Sequence, residues 1–364
     1  MHVGQINTNR EWGGGENQVL HLVQALHERG VKVTLLAHAE GELLRRAQES
    51  GLPAAALPVG LGGGVSRART ASLVQELGVD LLHVHDSRGG TLGAWLGRRL
   101  GLPVVLSRRV ASPLRRNLFS RYKYSRRNFR AVLAISETVR DVFLQGSQFA
   151  PEDVYVVPSG VEIGELDAVE RDVGWRRSFG GAYLVGGVGK LSVKKNWQFL
   201  VRVAARMAQQ GDLDIQWIIA GDGDEHDNLV ELIRELGVED RVHLLGFRKD
   251  AVRILKSLDV LFFPSLIEGA SVTVRECMVL GTPVVAVDAA GTMESLAGHG
   301  WGVSAADVDG AVQAVEQALL DTDLRDKHVA GARRYAIEHY TYDRTAIGTL
   351  AVYREILGAD NGKN

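Results

Sequence analysis

The chain has one cysteine in 364 residues, Cys277. A single thiol makes no internal disulfide, which excludes the small disulfide-framed secreted folds and points to a reducing compartment. Cys277 lies within an apolar helical pattern with no base placed beside it, so it reads as a core residue rather than a nucleophile. Long apolar runs are lacking too, and no segment reaches bilayer-spanning length. The first residues, His2-Val3-Gly4-Gln5-Ile6, are strand-like, with no basic region, long apolar stretch or cleavage site. A cytoplasmic protein with at most peripheral membrane contact is expected. The G-x-G-x-x-G fingerprint and the Lys-Ser/Thr ending of a P-loop are both missing, which disfavours an NAD oxidoreductase and a P-loop nucleotidase. Acid is missing from one long stretch: Ser87 to Ser136 holds 12 arginines and lysines and no aspartate or glutamate.

What is present suits two domains, since this length exceeds one ordinary core. Residues 1–163 hold 20 Lys/Arg and 14 Asp/Glu, a net of +6, and the remainder holds 22 and 30, a net of −8. Short apolar runs alternate with helix-period segments: Val31–Leu36, Ala54–Val59, Val79–His85, Pro103–Ser107 and Ala131–Ile135 read as strands. This order predicts an α/β fold with doubly wound parallel sheets. Ligands of such sheets bind at the carboxyl ends of strands, which directs attention to His85-Asp86 and Ser107-Arg108-Arg109. His83 and His85 are expected on opposite sides of their strand; His85 either faces the cleft with Asp86, as an acceptor contact, or is a satisfied core histidine. Gly13-Gly14-Gly15, between the first strand and the first helix, either lets a phosphate approach the backbone or simply makes a turn.

The most informative stretch runs from Ser265 to Pro283. It sits between two apolar strand runs, Val260–Phe263 and Val284–Val287. Ser271 reads as the N-cap of a short helix, and Gly281 with Pro283 as its stop. Glu268 precedes the helix. Gly269, Ala270 and Ser271 are small, so a ligand can approach the backbone, and the unbonded N–H groups around Val272 favour an anion such as a diphosphate. Glu276 lies about 7 Å further along the axis, the offset of a ribose from its phosphate, and a carboxylate there can accept from a ribose diol.

This pattern resembles the Glu-x7-Glu signature of retaining GT-B glycosyltransferases, most closely family 4. The resemblance implies two Rossmann-like domains facing a cleft: 1–163 for the acceptor, 164–342 for a nucleotide sugar, and a final helix, 343–364, crossing back to the first. It implies that Glu268 holds sugar hydroxyls and Glu276 the ribose. Lys190-Leu191-Ser192-Val193-Lys194-Lys195-Asn196 is similar to the family's G-R-L-x-x-x-K-G segment. Lys190 stands for its arginine, Lys195 for its lysine and Asn196 for its glycine, and the two cations grip the diphosphate. Gly14 and Gly15 match the glycine loop that faces the donor. The strand ending at Arg248 resembles the one that supports the base through backbone groups. Asp222 and Asp224 form a D-x-D that in GT-A enzymes binds metal; here it is read as a turn, and no metal cofactor is expected. Arg109 stands where many members carry a histidine, which leaves it to bind an anionic acceptor or to stabilise the leaving phosphate.

The segment 108–130 interleaves cations with aromatic and aliphatic residues. Against a plain solvated helix stand nucleic-acid binding, an anionic membrane surface and an anionic acceptor. No nucleic-acid module accompanies it, so acceptor or membrane contact is favoured. The expected activity is transfer from an NDP-sugar to a glycan or lipid-linked acceptor in bacterial envelope synthesis, lipopolysaccharide core or exopolysaccharide. The alternatives are a GT-B nucleotide-sugar epimerase and a non-catalytic nucleotide-sugar-binding protein.

Overall fold

The computed structural model describes residues 1–60, 64–115, 117–289 and 291–361. Residues 61–63, Arg116 of the basic segment, Ala290 and residues 362–364 lie outside the described residues. The chain divides into two units, Met1–Gly160 with Tyr342–Asn364, and Val161–Thr341.

The first unit is built on seven strands: β1 (His2–Asn7), β2 (Lys32–His38), β3 (Ala54–Leu57), β4 (Leu81–Val84), β5 (Val104–Arg108), β6 (Ala131–Ala134) and β7 (Val154–Val156). They are ordered β3-β2-β1-β4-β5-β6-β7, all parallel. The second unit has six parallel strands: β8 (Tyr183–Val188), β9 (Ile215–Ala220), β10 (Val242–Leu244), β11 (Val260–Phe263), β12 (Val284–Val287) and β13 (Trp301–Val303). Their order is β10-β9-β8-β11-β12-β13. Each is the Rossmann-like sheet expected from the alternation. The Val/Leu/Phe-rich runs are buried because helices cover both faces of a parallel sheet. The strand order reverses between β1 and β4 in one unit and between β8 and β11 in the other. Crevices for ligands form at those points, beyond the strand ends.

Local signals account for most helix ends. Ser271 caps the helix Val272–Leu280, its Oγ accepting from the Val274 N–H at 3.3 Å, and Gly281 ends it in the left-handed region. The helix after β4 starts at Ser87, because the Asp86 carboxylate accepts the Gly89 N–H at 2.8 Å. After β7 comes the helix Ile163–Asp167, whose Leu166 enters the core of the second unit with Val161 and Tyr340. The last helix, Tyr342–Asn361, belongs to the first unit, where Tyr342, Ala346, Leu350, Tyr353 and Ile356 share one core with Val19, Leu22 and Leu26. Arg29 pairs with Asp343 at its start, and the Tyr155 hydroxyl donates to Glu355 at 2.6 Å.

His83 and His85 do not face opposite sides. Residues two apart share a face, and the two rings lie 4.1 Å apart. Among the described residues no helix is long and apolar enough to cross a membrane.

Candidate functional site

In the second unit, the loops that follow β8 and β11 meet at the switch point. The Leu266 N–H donates to the Lys194 carbonyl at 2.9 Å, and Lys195 Nζ lies 2.7 Å from Glu268 Oε1. Lys195 also stands 4.9 Å over the Phe263 ring at the end of β11. The loop 190–195 thus reaches Leu266 and Glu268, just ahead of the helix start. Trp197 is buried, and its indole N–H donates to the Lys190 carbonyl at 3.1 Å, fixing the loop from inside. The Lys190 side chain is exposed, with no carboxylate paired to it among the described residues. Asn196 adopts φ 52° and opens the helix Trp197–Gln210. Asparagine tolerates that left-handed conformation, which explains why it can occupy the family's glycine position.

Gly269 and Ala270 are half-buried in the loop, and Ser271 is spent on capping the helix. The loop is pressed from beyond β12 by Gly291, at φ 89°, where a Cβ would stand 2.5 Å from the Glu268 carbonyl oxygen. Glycine is thus required for the turn that backs Glu268. Glu276 projects from the helix half-buried, and among the described residues it makes no hydrogen bond or ion pair. Burial pushes its carboxyl up to about 7. A half-buried carboxyl with no partner among the described residues can accept from a ligand hydroxyl once ionised.

Arg248 is engaged by its neighbour: Nε and Nη2 donate to the Asp250 carboxylate at 2.8 and 2.6 Å. Its side chain is committed, leaving backbone groups for any base contact. Beside it Phe247 is 73% exposed, an aromatic ring beyond β10 that the sequence reading passed over. Asp222 and Asp224 are exposed, and Asp222 Oδ1 accepts the Gly223 N–H at 2.8 Å, which is a turn.

The remaining sequence candidates belong to the first unit. Gly14 and Gly15 open the helix Gly14–Glu28, and a Cβ at either would meet nothing within 4 Å. Steric need does not account for glycine there. His85 is buried, not open to a cleft: Nε2 meets Gln5 Oε1 at 2.6 Å, and Nδ1 accepts from Arg109 Nη2 at 3.2 Å. Burial, then the charges nearby, drives both His83 and His85 well below the usual imidazole range, so both rings are neutral. Asp86 accepts from the Thr8 N–H and hydroxyl, both at 2.7 Å, and caps a helix. Arg108 donates to the Ser112 carbonyl. Arg109 is pushed down to about 10 by burial and stays protonated, beside Glu16 and Asp86. These groups chiefly hold the switch point of the first sheet together. The sequence located it correctly but did not reveal that its polar groups bond one another.

The comparisons agree in both halves. "Glycosyltransferase Family 4" matches residues 12–165 and "Glycosyl transferases group 1" residues 176–335. An uncharacterised glycosyltransferase of Methanocaldococcus jannaschii is 29% identical over 61% of this chain and 59% of its own, so the match spans less than two thirds of that relative. A lipopolysaccharide core biosynthesis glycosyltransferase of Rhizobium meliloti is 28% identical over 86% of this chain and 88% of its own. An Anabaena protein solved in complex with UDP superimposes with a TM-score of 0.82, at 20% identity, over 98% of this chain and 100% of that one. With two Rossmann-like units and a family match in each, the chain belongs to the family 4 glycosyltransferases of GT-B fold.

Proposed function

We propose that the chain transfers a sugar, with retention of configuration and without a metal, from a nucleoside-diphosphate sugar to a glycan or lipid-linked acceptor of the bacterial envelope. The observation that carries this reading is the Lys195–Glu268 pair, 2.7 Å apart in front of the helix start that Ser271 caps. The pair stands beside a helix start, and a cation next to the unbonded N–H groups of a helix start suits a departing diphosphate. In this reading Lys190 and Lys195 stabilise the leaving phosphates, Glu268 turns to the sugar hydroxyls, and Glu276 accepts from the ribose. The departing phosphate takes the acceptor proton on the same face, so no protein nucleophile is needed. Phe247 offers a face for the base.

The envelope setting draws support from the Rhizobium relative and from the exposed part of the basic segment. Arg115, Arg126 and Arg127 are exposed there, and Tyr122 is 51% exposed. Reaction would take place on the cytoplasmic side, with contact to an anionic surface through 108–130. Thermal-shift titration against UDP-, GDP- and ADP-sugars tests the donor reading. One nucleotide series raises the melting temperature in wild type and loses most of that effect in Lys195→Ala; no response to any nucleotide sugar overturns it.

A further inference from the structure

We propose that the first unit recognises phosphate: a cavity lined by Arg10, Arg67 and Arg88 selects an acceptor that carries a phosphomonoester. The cavity, about 480 Å³, lies beyond the carboxyl ends of β1, β2 and β4, at that sheet's switch point. Its polar lining is Thr8, Arg10, His38, Arg67, Arg88 and Thr91, with no carboxylate among them. Arg67 and Arg88 are exposed in the first turns of two different helices, Arg67–Leu77 and Ser87–Leu100. Among the described residues neither has an ion-pair partner. Arg10 has a weak one, Glu40 at 3.4 Å, with both groups largely in water. Its Nε also lies 3.2 Å from His38 Nε2. Burial, then the Arg10 charge, lowers His38 below its ordinary value, so the ring adds no charge of its own to the cavity.

Arg67 and Arg88 face this space without a carboxylate of their own among the described residues, and a phosphomonoester matches the forked donors of a guanidinium. The neighbouring cavity, about 560 Å³, shares Arg10 and Arg88 and adds Asn9, Glu11, Trp12, Glu16, Asp86 and Ser87. Its carboxylates and the Trp12 ring suit the hydroxyls and apolar face of a sugar, and the arginine-lined cavity beside it suits the phosphate, the two parts that a phosphorylated sugar or polyol presents. That the occupant is the acceptor rests on the glycosyl-transfer reading; that it is a phosphate rests on the cavity alone.

Calorimetry on the full chain separates the two. Glucose 6-phosphate is expected to bind at least tenfold more tightly than glucose, to weaken as salt rises, and to be displaced by inorganic phosphate. Arg67→Ala/Arg88→Ala, checked for an unchanged melting profile, is expected to lose at least tenfold of that affinity. Sedimentation with vesicles containing phosphatidic acid identifies the source: binding only there, lost in the double variant, assigns a lipid phosphate, whereas binding of the soluble ester assigns a free one. The proposal is overturned if glucose and its phosphate bind alike and vesicles do not bind, or if the double variant matches wild type. Should UDP fail to bind wild type while phosphate binds, the donor reading falls and this one stands.

Discussion

Lys195 Nζ and Glu268 Oε1 are 2.7 Å apart, although 73 residues separate them in the chain. Each neutralises the other, and on the proposed reading a donor parts them. The two substitutions therefore differ in effect. Lys195→Ala removes a charge-assisted contact to the diphosphate, so UDP affinity falls about tenfold or more and kcat about 10²-fold or more. Glu268→Gln frees the lysine, so UDP affinity holds or rises while kcat falls about 10²-fold. UDP calorimetry alongside steady-state kinetics reads the split. A parallel loss of UDP affinity in both variants would show that Glu268 orients the diphosphate site instead.

If Glu276 holds the donor as proposed, donor binding is pH-dependent. Its carboxyl is pushed by burial from the ordinary 4.5 up to about 7, so it is fully ionised only above that value. UDP affinity, if it depends on acceptance from the ribose, rises between about pH 6 and about pH 8. Folding stability moves the other way. The folded state holds the proton more tightly than the unfolded chain, so this group's contribution is greatest below 4.5 and is lost as pH rises through about 7. Glu276→Gln removes both trends, and is expected to raise the melting temperature at about pH 8 while weakening UDP binding.

Tyr353 anchors the last helix from inside the first unit. Its buried hydroxyl accepts from Gln5 Nε2 at 2.9 Å and meets His83 Nδ1 at 2.5 Å. Tyr353→Phe leaves both groups short of a partner in a dry interior. A loss of about 1–3 kcal/mol in urea unfolding is expected.

Gly291→Ala tests the backing of Glu268. The residue sits at φ 89°, and its Cβ would meet the Glu268 carbonyl, so a cost of about 1–3 kcal/mol is expected, with turnover lost by displacement of the loop. Asn196→Gly is the contrasting change. At φ 52° glycine fits without strain, and stability is expected to change by less than about 0.5 kcal/mol.

The basic segment gives a vesicle prediction. Arg115→Glu/Arg126→Glu/Arg127→Glu is expected to reduce co-sedimentation with anionic vesicles relative to wild type. Equal sedimentation with equal activity removes the segment from any such role.

Local signals made much of this legible. The helix at Val272–Leu280 was readable because cap, apolar run and glycine stop lie within a dozen residues, and the sheets because parallel strands read as apolar runs. The misreadings came from pairings that sequence does not display. Asp86 seemed a ligand group because it follows a strand, yet its oxygens are taken by Thr8 and Gly89. His85 seemed open because it ends a strand, yet Arg109, 24 residues on, closes over it. The three arginines of the first unit's cavity come from three separate loops and helix starts, and no spacing announces them.

The return of Tyr342–Asn361 to the first unit has a consequence for biosynthesis. Six side chains of that helix complete the core begun by Val19, Leu22 and Leu26. The domain translated first is thus the one finished last, left with an uncovered apolar face while the whole of Val161–Thr341 emerges and folds. Removing the tail would leave that nascent surface permanently bare, a liability for aggregation rather than a simple shortening.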